Sequence, residues 1–190
     1  MIMCMYKKIA ISNWELYGKK GEYVAYLSSV LEKVDMLILR EKNLGEEAYE
    51  QLASSLLSKS GKKKEKIILH NYVECAKKLK WRKIHLPMPV FEQYKKELEE
   101  FSVIGVSAHS LEEAQYAQEY GATYVTFSHI FPTKCKEGLE PRGVEELEEV
   151  CKNVSIPVYA LGGITKEREM LVWNAGAKGI CKMSEWMKSL

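Results

Sequence analysis

No stretch of this 190-residue chain stays apolar for anything near the ~20 residues that a membrane-spanning helix needs. Nor is there an excess of charge: 28 basic against 26 acidic residues leave a formal +2. That balance gives no strong field toward nucleic acid or a membrane surface, although a local basic site for a small anion remains open. The five cysteines, at positions 4, 75, 135, 151 and 181, form no CxxC pair and no Cys–His spacing suited to zinc, and their number is odd. A reduced, cytoplasmic protein with no structural metal is the expectation. Only Cys135, between Lys134 and Lys136, has a context that can lower a thiol pKa. The start, MIMCMYKKIAIS, sets apolar residues before its lysines, the reverse of a secretory signal. Low-complexity sequence is confined to SKSGKKKEK (58–66), which has no interleaved aromatics and reads as a solvated helix-to-strand turn rather than a nucleic-acid patch.

Hydrophobic residues make up 46% of the chain and charged residues 28%, the balance of one soluble, packed domain spanning residues 1–190. Eight β-rich runs recur, at 7–12, 35–41, 65–71, 82–87, 101–107, 122–128, 156–161 and 178–183. They are continuously apolar rather than alternating, which predicts parallel strands covered on both faces. Amphipathic stretches separate them. Ser110 and Glu113 form a capping box before LEEAQYAQEY, and Gly121 ends that helix. Thr165 heads KEREMLVWNA in the same way, with Met170, Leu171 and Ala175 on its apolar period and Gly176 at its end. The phrases YGATYVTF and AGAKGICKM lie 55 residues apart and share the order helix end, Gly-Ala, strand. Eight strand–helix units predict a (β/α)8 TIM barrel, with an open doubly wound sheet as the structural alternative. The units average ~24 residues against ~31 in a typical barrel of ~250, so a compact barrel with shortened helices is expected.

In such a barrel the chemistry sits at the C-terminal strand ends. Those ends carry Arg40, Glu41 and Lys42; His70 and Asn71; His85; Ser107 and His109; His129; Gly162 and Gly163; and Met183 and Ser184. A Gly-Gly pair lets backbone N–H groups approach an anion, and Thr165 and Ser184 open the helices that follow. Loops after strands seven and eight therefore form a candidate phosphate site. All four histidines lie at or near strand ends, where an imidazole can move protons. His129 stands out, because FSHIF leads into the basic loop PTKCKEG. His85 and His109 read as hydrogen-bonded structural residues and His70 stays open. No spacing among the four specifies zinc.

GVSAHSLEEA (105–114), FSHIFPTKCKEGLEPRG (127–143), SIPVYALGGIT (155–165) and NAGAKGICKMS (174–184) resemble the thiamine phosphate synthase superfamily, and LILREK (37–42) and ILHN (68–71) extend the match. The resemblance implies a TIM barrel in thiamine biosynthesis, probing one of two activities. Synthases of the family join a pyrimidine diphosphate to a thiazole phosphate and hold magnesium on two aspartates; the matching positions here are Tyr72 and Val90. The tautomerase branch isomerises a thiazole carboxylate phosphate to its aromatic tautomer, and carries a histidine in the strand-six motif that His129 matches. The expectation is therefore a thiazole tautomerase, an isomerase without metal or cofactor, with His129 moving the proton. Arg40, Lys42, Asn71, Ser107, Thr133, Lys134, Cys135, Lys136, Gly162, Gly163, Met183 and Ser184 are expected to bind a small phosphorylated thiazole. A homodimer is expected, with neither nucleic acid nor membrane as partner. The alternatives are a synthase-like enzyme that still makes the C–N bond, a non-catalytic binder or regulator that senses thiamine intermediates, and an isomerase of another small phosphate.

Overall fold

The computed structural model describes residues 6–18, 22–133 and 137–188. Eight strands, β1 (Lys7–Ile11), β2 (Met36–Leu39), β3 (Ile67–His70), β4 (Lys83–Pro87), β5 (Val103–Ala108), β6 (Tyr124–Ser128), β7 (Val158–Leu161) and β8 (Gly179–Lys182), match the expected runs to within two residues at each end. Each pairs in parallel with the next, and β8 closes onto β1 with Cys181 opposite Ile9. The closed barrel removes the open-sheet alternative. Helices α1 (Trp14–Tyr17) and α2 (Tyr23–Val30) follow β1. Helices α3 (Glu46–Lys59), α4 (Val73–Lys78), α5 (Met88–Tyr94), α6 (Leu111–Glu119), α7 (Gly143–Asn153), α8 (Glu169–Asn174) and α9 (Ser184–Met187) follow the other strands in turn. Several are one or two turns long, as the short repeat length requires. The basic run 58–66 closes α3 and forms a 3-10 turn before β3.

Helix ends carry much of the local specification. Ser110 accepts from the Glu113 N–H at 3.2 Å, and the Glu113 carboxylate reaches back to the His109 N–H at 2.6 Å. The two Gly-Ala phrases end their helices identically. Gly121 and Gly176 have φ of +93° and +97°, and Ala122 and Ala177 donate to Ala117 and Val172, five residues back. That is the Schellman arrangement, and it explains the echo in the sequence. Two expectations fail around α8. Thr165 heads a 3-10 turn, Lys166–Arg168, and α8 begins only at Glu169. Met170 and Leu171 face outward at 63% and 49% exposure, while Val172 and Ala175 pack inward. The late start rotates the apolar period by one residue.

Alternate strand residues divide into two cores. Leu37, Leu39, Leu69, Leu86, Val106, Phe127 and Ala160 pack under the helices. Ile9, Ile11, Met36, Ile38, Ile68, Tyr124, Tyr159 and Cys181 fill the barrel. Cys75 is buried on the inner face of α4, and Cys181 belongs to the barrel filling.

The upper half of the barrel interior is polar. His85 Nδ1 lies 3.0 Å from the Tyr124 hydroxyl, and Nε2 lies 2.9 Å from Ser107 Oγ and 3.4 Å from Thr126 Oγ1. The His70 ring stacks beside His85 at 5.9 Å between centroids. Gly105 makes this packing fit: a Cβ there would lie 2.1 Å from the Tyr124 ring and 2.4 Å from His85 Nδ1. Burial, with the Arg40 charge adding to it, lowers the His85 pKa to about 3. His70 is also held well below its ordinary range, by burial first and then by His85, Arg40 and Lys42. Both rings are therefore neutral in the fold.

Two measurements follow. Gly105→Ala overpacks a layer that cannot yield, and is expected to cost about 3 kcal/mol, read by urea denaturation; a change below about 0.5 kcal/mol would contradict the packing. Acid stability gives the second. Between the ordinary histidine pKa of 6.5 and the folded value of about 3, the unfolded chain binds a proton that buried His85 does not. Stability then falls as the pH drops, by about 1.4 kcal/mol per unit for each such ring. Unfolding near pH 5.5 should take up about two protons from these two rings, and His85→Gln should lower that uptake by about one.

Candidate functional site

The strand ends converge on one mouth, and its two sides are fixed differently. On the β1–β2 side the organiser is Glu41, a charged residue only 5% exposed. Its carboxylate accepts from the Ser12 hydroxyl at 2.6 Å, the Trp14 N–H at 2.8 Å and the Tyr23 hydroxyl at 2.5 Å. A buried carboxylate needs such donors, and here they tie the β1–α1 loop and α2 to the end of β2. Ser12 Oγ also accepts from the Arg40 N–H at 2.8 Å. Burial, and then the Glu41 charge, push the Tyr23 pKa far above the ordinary phenol range, so Tyr23 stays a donor. The sequence placed Glu41 at this strand end with Arg40 and Lys42 but gave it no role. Its partners come from two other elements, and no local spacing announces them. Arg40 is half-buried and Lys42 exposed, so this side of the mouth presents two cationic residues.

On the opposite side the loops after β6 and β7 pack backbone to backbone. Ile130 and Phe131 donate to the carbonyls of Leu161 and Gly162, and Arg142 and Gly143 donate to those of His129 and Ile130. Gly162 and Gly163 have φ of +105° and +65°. A Cβ on Gly162 would sit 2.4 Å from His129 Cβ, and one on Gly163 would sit 2.6 Å from the Pro132 carbonyl oxygen. These glycines are thus required by loop packing, before any ligand is considered. Arg168, which the sequence did not flag, donates to the Gly163 carbonyl at 2.9 Å and lies over the Phe131 ring at 4.7 Å. His129 is buried in this seam, with Nε2 3.4 Å from the Leu139 carbonyl. Thr133 is half-buried, whereas the expected ligands Lys134, Cys135 and Lys136 lie outside the described residues.

The remaining expected ligands occupy the rim. Asn71 adopts φ +70°, a left-handed conformation that Asn tolerates, and donates its N–H to the His85 carbonyl. Ser107 meets His85 in the interior, as above. Met183 follows β8 and its sulfur accepts from Asn13 Nδ2 at 3.8 Å; Ser184 comes next, exposed, as the first residue of α9. His109, at the end of β5, lies 3.3 Å from the Glu113 carboxylate as part of the α6 cap. Two surface depressions flank α2 instead, lined in part by Trp14 and Leu44 and by Tyr17 and Trp186. Neither gathers the polar strand-end residues, so the mouth remains the candidate site.

The donor set at the mouth does not suit a hard divalent cation, which requires carboxylate or other oxygen ligands. The Tyr72 hydroxyl is engaged, donating to the Leu44 carbonyl at 2.6 Å, and Val90 is an apolar residue on α5. Glu41 is already engaged by three donors. Among the described residues, no group of three His, Cys, Asp or Glu side chains is placed to hold a metal ion.

Comparison with known proteins bears on what this mouth serves. The family model described as "Thiamine monophosphate synthase" matches residues 10–186. A protein of Aquifex aeolicus named "Putative thiamine-phosphate synthase 2" is 35% identical over 181 residues, covering 94% of this chain and 96% of its own. A thiamine-phosphate synthase of Halalkalibacterium halodurans is 29% identical over 184 residues, covering 95% and 87%. The solved thiamine phosphate pyrophosphorylase of Pyrococcus furiosus superposes with a TM-score of 0.78 at 26% identity, over 96% of this chain and 88% of that one. These relatives are named as synthases, which overturns the expectation of an isomerase: the His129 match is one residue in a seam, whereas the likeness to synthases runs the length of the barrel. The chain belongs to the thiamine monophosphate synthase family.

Proposed function

We propose that this protein is a synthase-like enzyme of thiamine biosynthesis that joins a thiazole phosphate to a pyrimidine diphosphate. The observation that carries the reading is the similarity to a protein named as a putative thiamine-phosphate synthase across 94% of the chain. In the transfer a C–N bond forms between the two rings, the bond to the diphosphate breaks, and pyrophosphate leaves with the electron pair. Two anionic substrates must meet, so their mutual repulsion has to be offset at the mouth. Arg40 and Lys42 take that role from the β2 end. The backbone of Gly162 and Gly163, with Thr133 and Ser184, receives the thiazole phosphate. Asn71, Ser107 and Met183 line the space between, and His129 shapes the seam on which the phosphate rests.

A second reading has its own observation. Tyr72 and Val90 stand where the synthases of the family, by resemblance, carry their magnesium carboxylates. That replacement favours a protein that binds thiamine intermediates without turning them over.

One assay separates the two. Purified protein is incubated with both substrates, with and without magnesium, and thiamine phosphate is quantified. Condensation is expected, and Arg40→Ala is expected to lower kcat/KM about 10–100-fold, the loss of a charge-assisted contact. Tight binding of either substrate with no condensation under either condition would replace the first reading with the second.

A further inference from the structure

We infer that His85 and Tyr124 are positioning residues that fix the Ser107 hydroxyl as a hydrogen-bond donor aimed into the barrel mouth. The inference rests on the proposed ligand site, but its first half concerns the protein alone. Tyr124 is almost completely buried, and among the described residues the hydrogen-bond partner of its hydroxyl is His85 Nδ1, at 3.0 Å. Two tautomers of a neutral His85 are compatible with that distance, and they differ in cost. If Nδ1 carried the proton, the Tyr124 oxygen would accept it. The phenolic hydrogen would then be buried without an acceptor, which native proteins avoid. With Nδ1 bare, Tyr124 donates to it and every group is satisfied. The proton of His85 then sits on Nε2.

Nε2–H faces Ser107 Oγ at 2.9 Å, with Thr126 Oγ1 farther off at 3.4 Å. Ser107 Oγ accepts from it, so the serine's own hydrogen is not used on His85. Ser107 lies near the end of β5, one layer above His85, where it is half-buried rather than sealed. Its hydrogen is therefore available to an acceptor at the mouth. Direction passes from Tyr124 through His85 to Ser107, and no proton needs to move. Gly105 is the enabling position, because a Cβ there would occupy the space of both rings. A phosphate or diphosphate oxygen is the chemistry this donor suits: it accepts readily and has no hydrogen of its own to clash.

The test has two arms. In the first, protein labelled with 15N-histidine and carrying no ligand is examined by long-range 1H–15N correlation near neutral pH, with His85 assigned through His85→Gln. The expected result is a proton on Nε2 and a bare Nδ1. A proton on Nδ1 overturns the inference. In the second, inorganic pyrophosphate and the thiazole phosphate are each titrated into wild type, Ser107→Ala, Tyr124→Phe and the double variant. Ser107→Ala and Tyr124→Phe are each expected to weaken one of these anions about 10-fold, with the double variant no weaker than Ser107→Ala alone. Additive losses mean two independent effects and overturn the positioning role, as does an unchanged affinity in Tyr124→Phe. If neither anion binds wild type, the proposed function and the ligand half of the inference fall together, while the tautomer stands or falls on the first arm.

Discussion

A barrel this small has one governing constraint: its interior must be filled by side chains from eight strands at once, with no slack. The contact that sets the upper layer is His85 against Tyr124, held in the space that Gly105 leaves open. A large ring on β4 and another on β6 can meet only because β5, which runs between them, carries no side chain at that level. Gly179 on β8 marks another close approach, where a Cβ would lie 2.6 Å from the Lys7 carbonyl oxygen and 3.1 Å from the Tyr159 ring. Filling the barrel with rings rather than aliphatic chains has a chemical consequence. Hydrogen-bonding groups reach the layer just below the mouth, and burial keeps the two histidines there neutral despite their position. Positive charge is thus withheld from the interior and concentrated on Arg40 and Lys42 at the rim.

The rim is rigidified from both sides. Glu41 gathers Ser12, Trp14 and Tyr23, so the loop after β1 and the start of α2 are anchored to β2. Across the barrel the β6 and β7 loops share backbone hydrogen bonds, and Arg168 clamps their crossing at Gly163. Neither device is itself a ligand contact. Together they hold strand-end groups still, which is the requirement for recognising a small, multiply charged substrate by geometry. The proposed function asks for such an arrangement: binding phosphorylated ring compounds needs oriented donors and cations more than it needs reactive side chains. At Tyr72, where the resemblance implies a cation ligand in synthases, the hydroxyl instead ties the β3–α4 loop to Leu44.

The sequence made the barrel legible because its signals are local. Continuous apolar runs such as IILH mark strands buried on both faces, and the Ser110–Glu113 and Gly-Ala phrases mark helix ends within a few residues. The site was legible only at the level of strand ends. The partners that decide each residue's role arrive from distant strands, as Tyr124 does for His85 across 39 residues. His85 read as a hydrogen-bonded structural residue, and so it is, but its place at the centre of the interior network came only with those partners. The bracing role of Glu41 went unread, and Arg168 was missed, because a buried carboxylate and a clamping guanidinium look like surface charges until their partners are known. The isomerase expectation hung on one motif residue, His129, and the relatives are named synthases. Met170 and Leu171 misled for a simpler reason, the 3-10 turn that delays α8 and shifts its period.

The central claim is that the barrel mouth, braced by these two loop locks, is where phosphorylated substrates bind. A crystal structure of the protein grown with the thiazole phosphate and inorganic pyrophosphate tests it most directly. The account predicts one phosphate against the Gly162–Gly163 and Ser184 backbone, and pyrophosphate oxygens within reach of Arg40 and Ser107. Density for either anion on the α2 flank, with the mouth occupied only by solvent, would contradict it.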